Sequence, residues 1–209
     1  MKMLKASIQE LNLLLGNIDI YLLDQILKAR FEKHFKILDA GCGEGRNLIY
    51  FIRNEYQVYG IDKDKDSIQM LKHLIKSIDE EYPISRFING NLEEMPYKQH
   101  EFDAIISSAV LHFAESKDHF LHMFHELNRV LKYNGILFIR MTSDIGMEEK
   151  VKPMGKGKYL LPDKSVRFLL TKKLLNEIID QFGYSFEENF KSVVVDENRS
   201  MAVLVLRKL

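Results

Sequence analysis

The chain has 209 residues, the size of one α/β domain with a sizeable core. Its 30 basic and 30 acidic residues balance, which argues against sequence-independent binding to nucleic acid. A single cysteine, Cys42, excludes an intrachain disulfide and favours the cytoplasm, and we expect neither a secretion signal nor a membrane span of about 20 apolar residues.

The N-terminal segment has the pattern of an amphipathic helix. Apolar residues recur every three or four positions from Leu4 to Ile26, which places them on one helix face. Gly16 and Asn17 interrupt the pattern. We therefore predict a helical cap over residues 1–32, broken near these two residues.

The middle of the chain alternates between short apolar runs and longer periodic segments. Predicted strands cover residues 36–39, 57–61, 84–89, 102–107 and 135–141, and predicted helices cover residues 46–54, 66–78 and 118–131. Strands that alternate with helices indicate a parallel sheet with right-handed crossovers. We assign residues 33–142 to this core.

The remaining residues divide into two parts. Glycines, prolines and lysines break up residues 143–170, which predicts a long loop, either a lid over a site or a solvated connection. Residues 171–209 follow with a predicted helix and two apolar runs around the polar turn at 196–200. This pattern is typical of an antiparallel hairpin.

A buried strand runs into a loop with glycines at positions 41, 43 and 45. Side chains there would collide with a ligand lying across the strand ends, and glycine permits the positive φ angles of such a turn. The next strand ends at Asp62, roughly 20 residues after the first glycine, where a carboxylate can accept hydrogen bonds from ribose hydroxyls. Together these features predict a nucleoside site. A structural tight turn and a helix cap at Asp62 are the alternatives.

The segment Asp39-Ala-Gly-Cys-Gly-Glu-Gly45 resembles the first motif of the class I S-adenosylmethionine-dependent methyltransferases. A nicotinamide site more often has the G-x-G-x-x-G spacing, whereas position 46 here is arginine. The resemblance extends from about residue 36 to residue 141. It implies a Rossmann-like, seven-stranded, mostly parallel sheet with a C-terminal antiparallel hairpin. Within the family, the chain loosely resembles the small-molecule enzymes of the tellurite-resistance and thiopurine type.

This resemblance implies S-adenosylmethionine as cofactor and assigns residues to its parts. The glycine motif would approach the methionine part, and Asn91, where the family usually has Asp, would bind adenine with Leu92. The segment after the fourth strand would run beside the methyl donor. The predicted cofactor residues are Asp39, Gly41, Cys42, Gly43, Asp62, Lys63, Asn91, Leu92, Ser107 and Ala109.

Methyl transfer from a sulfonium is an in-line displacement, for which the protein aligns reactants at ~3–3.5 Å and excludes water. His112 and Asp144 follow predicted strands and are the candidate bases, with structural or capping roles as alternatives. The candidate acceptor residues are Tyr21, Asp24, Tyr159 and Arg167. His119, His122 and His125 lie off the apolar stripe of their predicted helix, so we expect a solvated face and no metal site.

The sequence leaves three functions open. The first is a methyltransferase that acts on a small molecule, the second is a nicotinamide-dependent oxidoreductase, and the third is a non-catalytic cofactor-binding module. No Asn/Asp-Pro-Pro-Tyr motif follows the fourth strand, which argues against DNA adenine and glutamine acceptors. The neutral charge favours a metabolite, although the lysines of residues 150–158 could attract an anionic acceptor. The oligomeric state is not predicted.

Overall fold

The structure, a computed structural model, describes residues 7–209. The helices are α1 (Ile8–Leu15), α2 (Ile20–Leu27), α3 (Ile49–Arg53), α4 (Lys65–Ile78), α5 (Lys117–Val130) and α6 (Lys172–Phe182). The main sheet contains β1 (Lys36–Ala40), β2 (Gln57–Asp62), β3 (Phe87–Asn89), β4 (Phe102–Ser108), β5 (Leu131–Ser143), β9 (Tyr184–Phe186), β10 (Lys191–Val195) and β11 (Arg199–Lys208). A second sheet contains β6 (Lys152–Gly155), β7 (Lys158–Leu160) and β8 (Val166–Phe168).

The main sheet is mostly parallel and has the strand order β10-β11-β5-β4-β1-β2-β3. Strands β1 to β5 pair in parallel, whereas β11 runs antiparallel to β5, β9 and β10. This confirms the predicted fold, and β9 is a short strand beyond the seven predicted. From β1 the chain builds β2 and β3 to one side and β4 to the other, so the carboxyl ends of β1 and β4 flank a topological switch point. Open α/β sheets bind ligands at this point.

Two apolar cores lie against the two faces of this sheet. Adjacent residues of β1 point to opposite faces, so Leu38 belongs to one core and Ile37 to the other. Helices α5 and α6 contribute to the core that contains Leu38, and α2, α3 and α4 contribute to the core that contains Ile37. The strands are therefore buried on both faces of the sheet, and this packing fixes the position of their carboxyl ends.

The predicted helical cap consists of α1 and α2. Gly16 ends α1 with a φ of 59°, which confirms the predicted break. Ser7 and Glu10 form a capping box at the start of α1, and the side chain of Asp19 caps α2. Leu4 and the rest of residues 1–6 lie outside the described residues.

Residues 143–170 are not one irregular loop, so that prediction was wrong. They contain the antiparallel sheet β6-β7-β8, and the turn Gly155-Lys156-Gly157 joins its first two strands with three positive φ angles. The glycines that interrupt the apolar pattern in this segment are therefore turn residues of a hairpin. Met147, Val151, Leu161 and Leu169 form a small apolar core beside this sheet.

Several predicted boundaries were also shifted. The strand expected from residue 84 begins at Phe87, because residues 84–86 form a short 3-10 turn. The strand expected from Gly135 begins at Leu131, directly after α5. Within residues 7–209, no helix combines the length and the apolar character needed to cross a membrane.

Candidate active site

A cleft of about 300 Å³ opens at the carboxyl ends of β1, β2 and β4, and we call it the glycine-loop cleft. It brings together most of the predicted cofactor residues, namely Gly41, Gly43, Asp62, Lys63, Asn91, Leu92 and Ala109. Gly90, Glu93, Val110, Phe113, His119 and Met123 complete its wall. The side chain of His119 contacts Glu93 and is 27% exposed, so this histidine is part of the cleft rather than of a solvated face.

The first two glycines of the loop, Gly41 and Gly43, differ in why their positions require glycine. Both have positive φ angles, 85° at Gly41 and 51° at Gly43. A Cβ atom on Gly41 would lie 2.3 Å from Cγ2 of Val110, whereas a Cβ atom on Gly43 would meet nothing within 4 Å. Gly41 is therefore needed for close packing against the loop after β4. Gly43 leaves open space at the wall of the cleft.

Asp62 connects the glycine loop to the start of α4. Its Oδ2 accepts a hydrogen bond from the Gly43 amide at 2.8 Å, and its Oδ1 accepts one from the Asp64 amide at 2.9 Å. Each carboxylate oxygen has a further lone pair for another donor. The carboxylate is thus held in one orientation. It can still accept hydrogen bonds from hydroxyl groups of a ligand in the cleft.

Asp39 is buried beneath the loop, with 1% of its surface exposed. Its Oδ2 has no hydrogen-bond partner among the described residues, although buried polar atoms are normally paired. Burial raises the pKa of this carboxyl to about 7, while Arg46 acts to lower it and Asp62 to raise it. An unpaired buried oxygen directly before the glycine loop fits a ligand that brings a donor or a cation.

The remaining predicted cofactor residues do not line the cleft. Cys42 is buried beside Gly60, and burial raises the pKa of its thiol. Ser107 is fully buried on β4, and its hydroxyl has no hydrogen-bond partner among the described residues. Both side chains lie below the surface that a ligand would contact.

A second cavity, of about 500 Å³, adjoins the first, and we call it the arginine cavity. Its wall consists of Ala109, His112, Phe113, Arg140, Thr142, Leu161, Asp163, Ser165, Arg167, Val195, Arg199 and Met201. His112 and Arg167 were predicted from the sequence, whereas Arg140 and Arg199 were not. Ala109 and Phe113 line both cavities. We call these two residues the shared wall.

Ala109 has a conformation that is unusual for a residue with a side chain. Its φ is 64°, in the left-handed region, which costs roughly 1–2 kcal/mol for an L-residue. Its amide donates a hydrogen bond to the Arg140 carbonyl at 2.7 Å, which holds the turn in place. Backbone strain of this kind clusters at functional sites.

His112 is a buried, neutral histidine at the wall of the arginine cavity. Burial, with added repulsion from Arg167, Arg199 and Arg140, lowers its pKa to about 4. The Thr142 amide donates a long hydrogen bond of 3.4 Å to its Nδ1. The neutral ring that accepts this bond carries its proton on Nε2.

Tyr21 and Asp24 line neither cavity. The ring of Tyr21 lies 5.4 Å from the guanidinium of Arg140, so it supports a residue of the cavity wall. Asp24 forms ion pairs with Lys28 at 2.6 Å and with Lys191 at 3.3 Å. The structure therefore places Tyr21 behind the arginine cavity and Asp24 in a separate ion-pair cluster.

Asp144 and Tyr159 also lie outside the two cavities. Asp144 is half-buried after β5, where burial raises its pKa and its carbonyl accepts a hydrogen bond from the Met147 amide. Tyr159 lines a different surface depression, beside Thr171. No group of three or more potential metal ligands is present in the part of the chain that the structure describes.

Asp19 is a site residue that the sequence analysis missed. Its side chain is fully buried and accepts hydrogen bonds from Arg140 Nη1 at 2.7 Å and from Ser108 Oγ at 3.1 Å. Arg46, which follows the glycine loop, lies 3.7 Å away. Asp19 thus connects the helical cap to Arg140 in the wall of the arginine cavity and lies near the residue that follows the glycine loop. Its position as a helix cap was the only signal in the sequence.

Comparisons with known proteins agree with this geometry. A methyltransferase domain family matches residues 38–139, which include the glycine loop, Asp62 and β4. The uncharacterized methyltransferase YodH of Bacillus subtilis is 26% identical over 155 residues, which are 73% of this chain and 60% of YodH. The chain therefore spans less than two thirds of the length of this relative.

Solved methyltransferase structures share the fold. An S-adenosylmethionine-dependent methyltransferase from Methanosarcina mazei has a TM-score of 0.72 and 18% identity, with coverage of 88% of this chain and 97% of that chain. Magnesium protoporphyrin IX methyltransferase from Synechocystis PCC 6803, solved with bound S-adenosylmethionine, has a TM-score of 0.65 and 15% identity, with coverage of 91% and 77%. The matched domain, the methyltransferase relative and the shared fold, together with the glycine-loop cleft, support a class I S-adenosylmethionine-dependent methyltransferase.

Proposed function

We propose that the protein transfers a methyl group from S-adenosylmethionine to a small-molecule acceptor held in the arginine cavity. One observation carries the proposal: the glycine-loop cleft and the arginine cavity meet at the shared wall of Ala109 and Phe113. A donor in the first and an acceptor in the second would lie next to each other. Such alignment is the main contribution a protein makes to an in-line displacement.

When bound, S-adenosylmethionine supplies a methyl carbon whose bond to sulfur breaks, with both electrons left on sulfur, as the lone pair of the acceptor forms the new bond. The proposed cofactor contacts follow the cleft. Asp62 would accept hydrogen bonds from the ribose hydroxyls, and Asn91 and Leu92 would contact adenine. The loop at Gly41 and Gly43 would face the methionine part. Asp39 would supply a negative charge beneath that part.

His112 suits a different role from the predicted base. A pKa of about 4 makes it a weak base at neutral pH. With Nδ1 accepting from Thr142, the Nε2–H group is available as a donor. We propose that His112 orients the acceptor by donating a hydrogen bond. Asp144 lies outside the cavity, which weakens its case as a base, and the acceptor's proton would leave to solvent.

The two alternative functions, a nicotinamide-dependent oxidoreductase and a non-catalytic module, are distinguished by different observations. The methyltransferase domain and the glycine spacing favour S-adenosylmethionine over a nicotinamide cofactor. A non-catalytic module would bind the cofactor without turnover, so the binding and transfer assays together distinguish it. A cytoplasmic location stays a proposal based on the lone buried cysteine.

The test is isothermal calorimetry with S-adenosylmethionine and S-adenosylhomocysteine on the wild type, Asp62→Ala and Asp180→Ala. Asp180 is an exposed acid on α6 outside both cavities and serves as the matched control. We expect micromolar binding to the wild type and the control, and at least about tenfold weaker binding to Asp62→Ala, since a ligand hydroxyl loses a charged acceptor. Absence of binding to the folded wild type would contradict the proposed function.

A further inference from the structure

The arginine cavity has more positive than negative charge on its wall. Three guanidinium groups, those of Arg140, Arg167 and Arg199, face one carboxylate, that of Asp163. Asp19 lies behind the wall and pairs with Arg140 at 2.7 Å, and Arg199 lies 3.5 Å from Asp163. Within the described part of the chain, Arg167 forms no ion pair with a carboxylate. One positive charge is therefore left for a ligand.

Arg167 is positioned beside the shared wall. Its guanidinium lies 5.1 Å from the centroid of the Phe113 ring, which is the distance of a cation–π contact. Its side chain donates one hydrogen bond, from Nη1 to the carbonyl of Val166 at 2.9 Å. Most of its N–H donors therefore remain for a group bound in the cavity.

Two further observations agree with this charge distribution. All three arginines act to lower the pKa of the buried His112, so their positive potential reaches the interior of the cavity. The Nε of Arg140 is buried and has no hydrogen-bond partner among the described residues. Buried N–H groups of charged side chains are normally paired with an acceptor. The Nε–H of Arg140 is thus a second donor of the cavity wall that lacks an acceptor among the described residues.

The lysines of residues 150–158 do not line the arginine cavity. Lys150 forms an ion pair with Glu197 at 2.6 Å, and Lys156 lines the separate depression beside Tyr159. Instead, the second sheet contributes through Arg167 on β8 and Asp163 before it. The segment predicted as a lid or solvated connection is thus one wall of the cavity.

We infer that the acceptor carries an oxyanion group, a carboxylate or a phosphate, which Arg167 and Arg199 bind while its nucleophilic atom faces the shared wall. The guanidinium fork matches the geometry of both groups. A cavity of about 500 Å³ has the size of a small-metabolite site. The inference rests on the proposed function, because that function places the acceptor in this cavity.

The test is a calorimetric titration of the full chain, saturated with S-adenosylhomocysteine, with benzoate, inorganic phosphate and benzamide. Benzamide matches benzoate in size but has no charge. We expect at least one anion to bind about tenfold or more tightly than benzamide, because only an anion gains charge-assisted hydrogen bonds from the arginines. The anion that binds more tightly identifies the group as carboxylate or phosphate.

Variants locate the anion within the protein. Arg167→Gln and Arg199→Gln should each weaken anion binding by about tenfold or more and leave the affinity for S-adenosylhomocysteine unchanged. Arg53→Gln, at an exposed arginine of α3, should change neither affinity. Equal binding of benzamide and the anions, or unchanged anion binding in both cavity variants, would overturn the inference.

The same titration without S-adenosylhomocysteine separates this inference from the proposed function. Failure of the wild type to bind S-adenosylhomocysteine contradicts the proposed function. The cofactor-free titration still compares anions with benzamide in the cavity. Preference for an anion there supports the charge argument, and absence of that preference contradicts it.

Discussion

Asp39 has a charged form that the folded protein destabilises. Burial raises the pKa of its carboxyl from 3.8 to about 7. Because the folded-state value is above the unfolded one, its contribution to stability is fully present below pH 3.8 and is lost as the pH rises through about 7. The full loss is at most about 4 kcal/mol, since one pKa unit corresponds to about 1.4 kcal/mol. A ligand with a positive group near Asp39 would offset part of this cost.

Asp39→Asn should therefore stabilise the cofactor-free protein more at pH 8 than at pH 5. Between these pH values the wild type loses roughly 3 kcal/mol of stability that the neutral amide does not lose. Urea unfolding of both proteins at the two pH values measures the difference. Asp180→Asn, on the exposed face of α6, should show no such change. A difference in the free energy of unfolding between Asp39→Asn and the wild type that is the same at both pH values would contradict the raised pKa of Asp39.

At the scale of elements, the glycine loop combines a packing requirement with an opening for a ligand. Gly41 packs against Val110, and Gly43 borders open space. The loop lies between β1 and the short helix α3, and Asp62 at the end of β2 holds it from the side. Two neighbouring glycines thus have effects that mutation can separate.

Gly41→Ala should mainly lower stability, and Gly43→Ala should mainly lower cofactor affinity. The first change combines an unfavourable φ with a clash against Val110, for a loss of about 2–4 kcal/mol. The second has the φ cost alone, about 1 kcal/mol, and its methyl group borders the cleft. Urea unfolding and calorimetry with S-adenosylhomocysteine measure the two effects. Equal stability losses, or full cofactor affinity in Gly43→Ala, would contradict this account.

At the scale of the whole molecule, Asp19 holds together parts that are far apart in the chain. It caps α2 through the Tyr21 amide at 3.0 Å and binds Ser108 at the end of β4 and Arg140 on β5. The helical cap is thereby fixed over the strand ends. A buried charge of this kind is costly to remove when its partner stays charged.

Asp19→Asn should cost about 3–5 kcal/mol, because it leaves Arg140 without a counter-charge while it keeps a side chain that can cap α2. Asp24→Asn is the matched comparison, since Asp24 lies on the same helix but is 39% exposed in its ion pairs. That change should cost about 0–1 kcal/mol. Urea unfolding measures both variants, and equal losses would contradict the role assigned to Asp19.

Local patterns in the sequence were enough to predict the core of the fold and most of the residues that line the glycine-loop cleft. Apolar runs of strand length, helical periodicity and turn glycines act over a few residues, so they can be recognised without the tertiary structure. The glycine loop and Asp62 belong to this class because one strand and one turn place each of them. The second sheet was missed because its strands have only three or four residues, too few for a periodic pattern.

The arginine cavity depended on tertiary structure. Arg140, Arg167 and Arg199 lie on β5, β8 and β11, and only the antiparallel addition of β11 to β5 and the folding of the second sheet bring them to one cavity. Asp24 and Tyr159 were candidates of equal chemical merit, yet chain geometry directs them elsewhere. The sequence by itself therefore determined the methyltransferase resemblance and the glycine loop of the cleft, because those depend on short-range patterns. Only the tertiary structure decided which charges line the arginine cavity, because a cavity wall is built from residues distant in the chain.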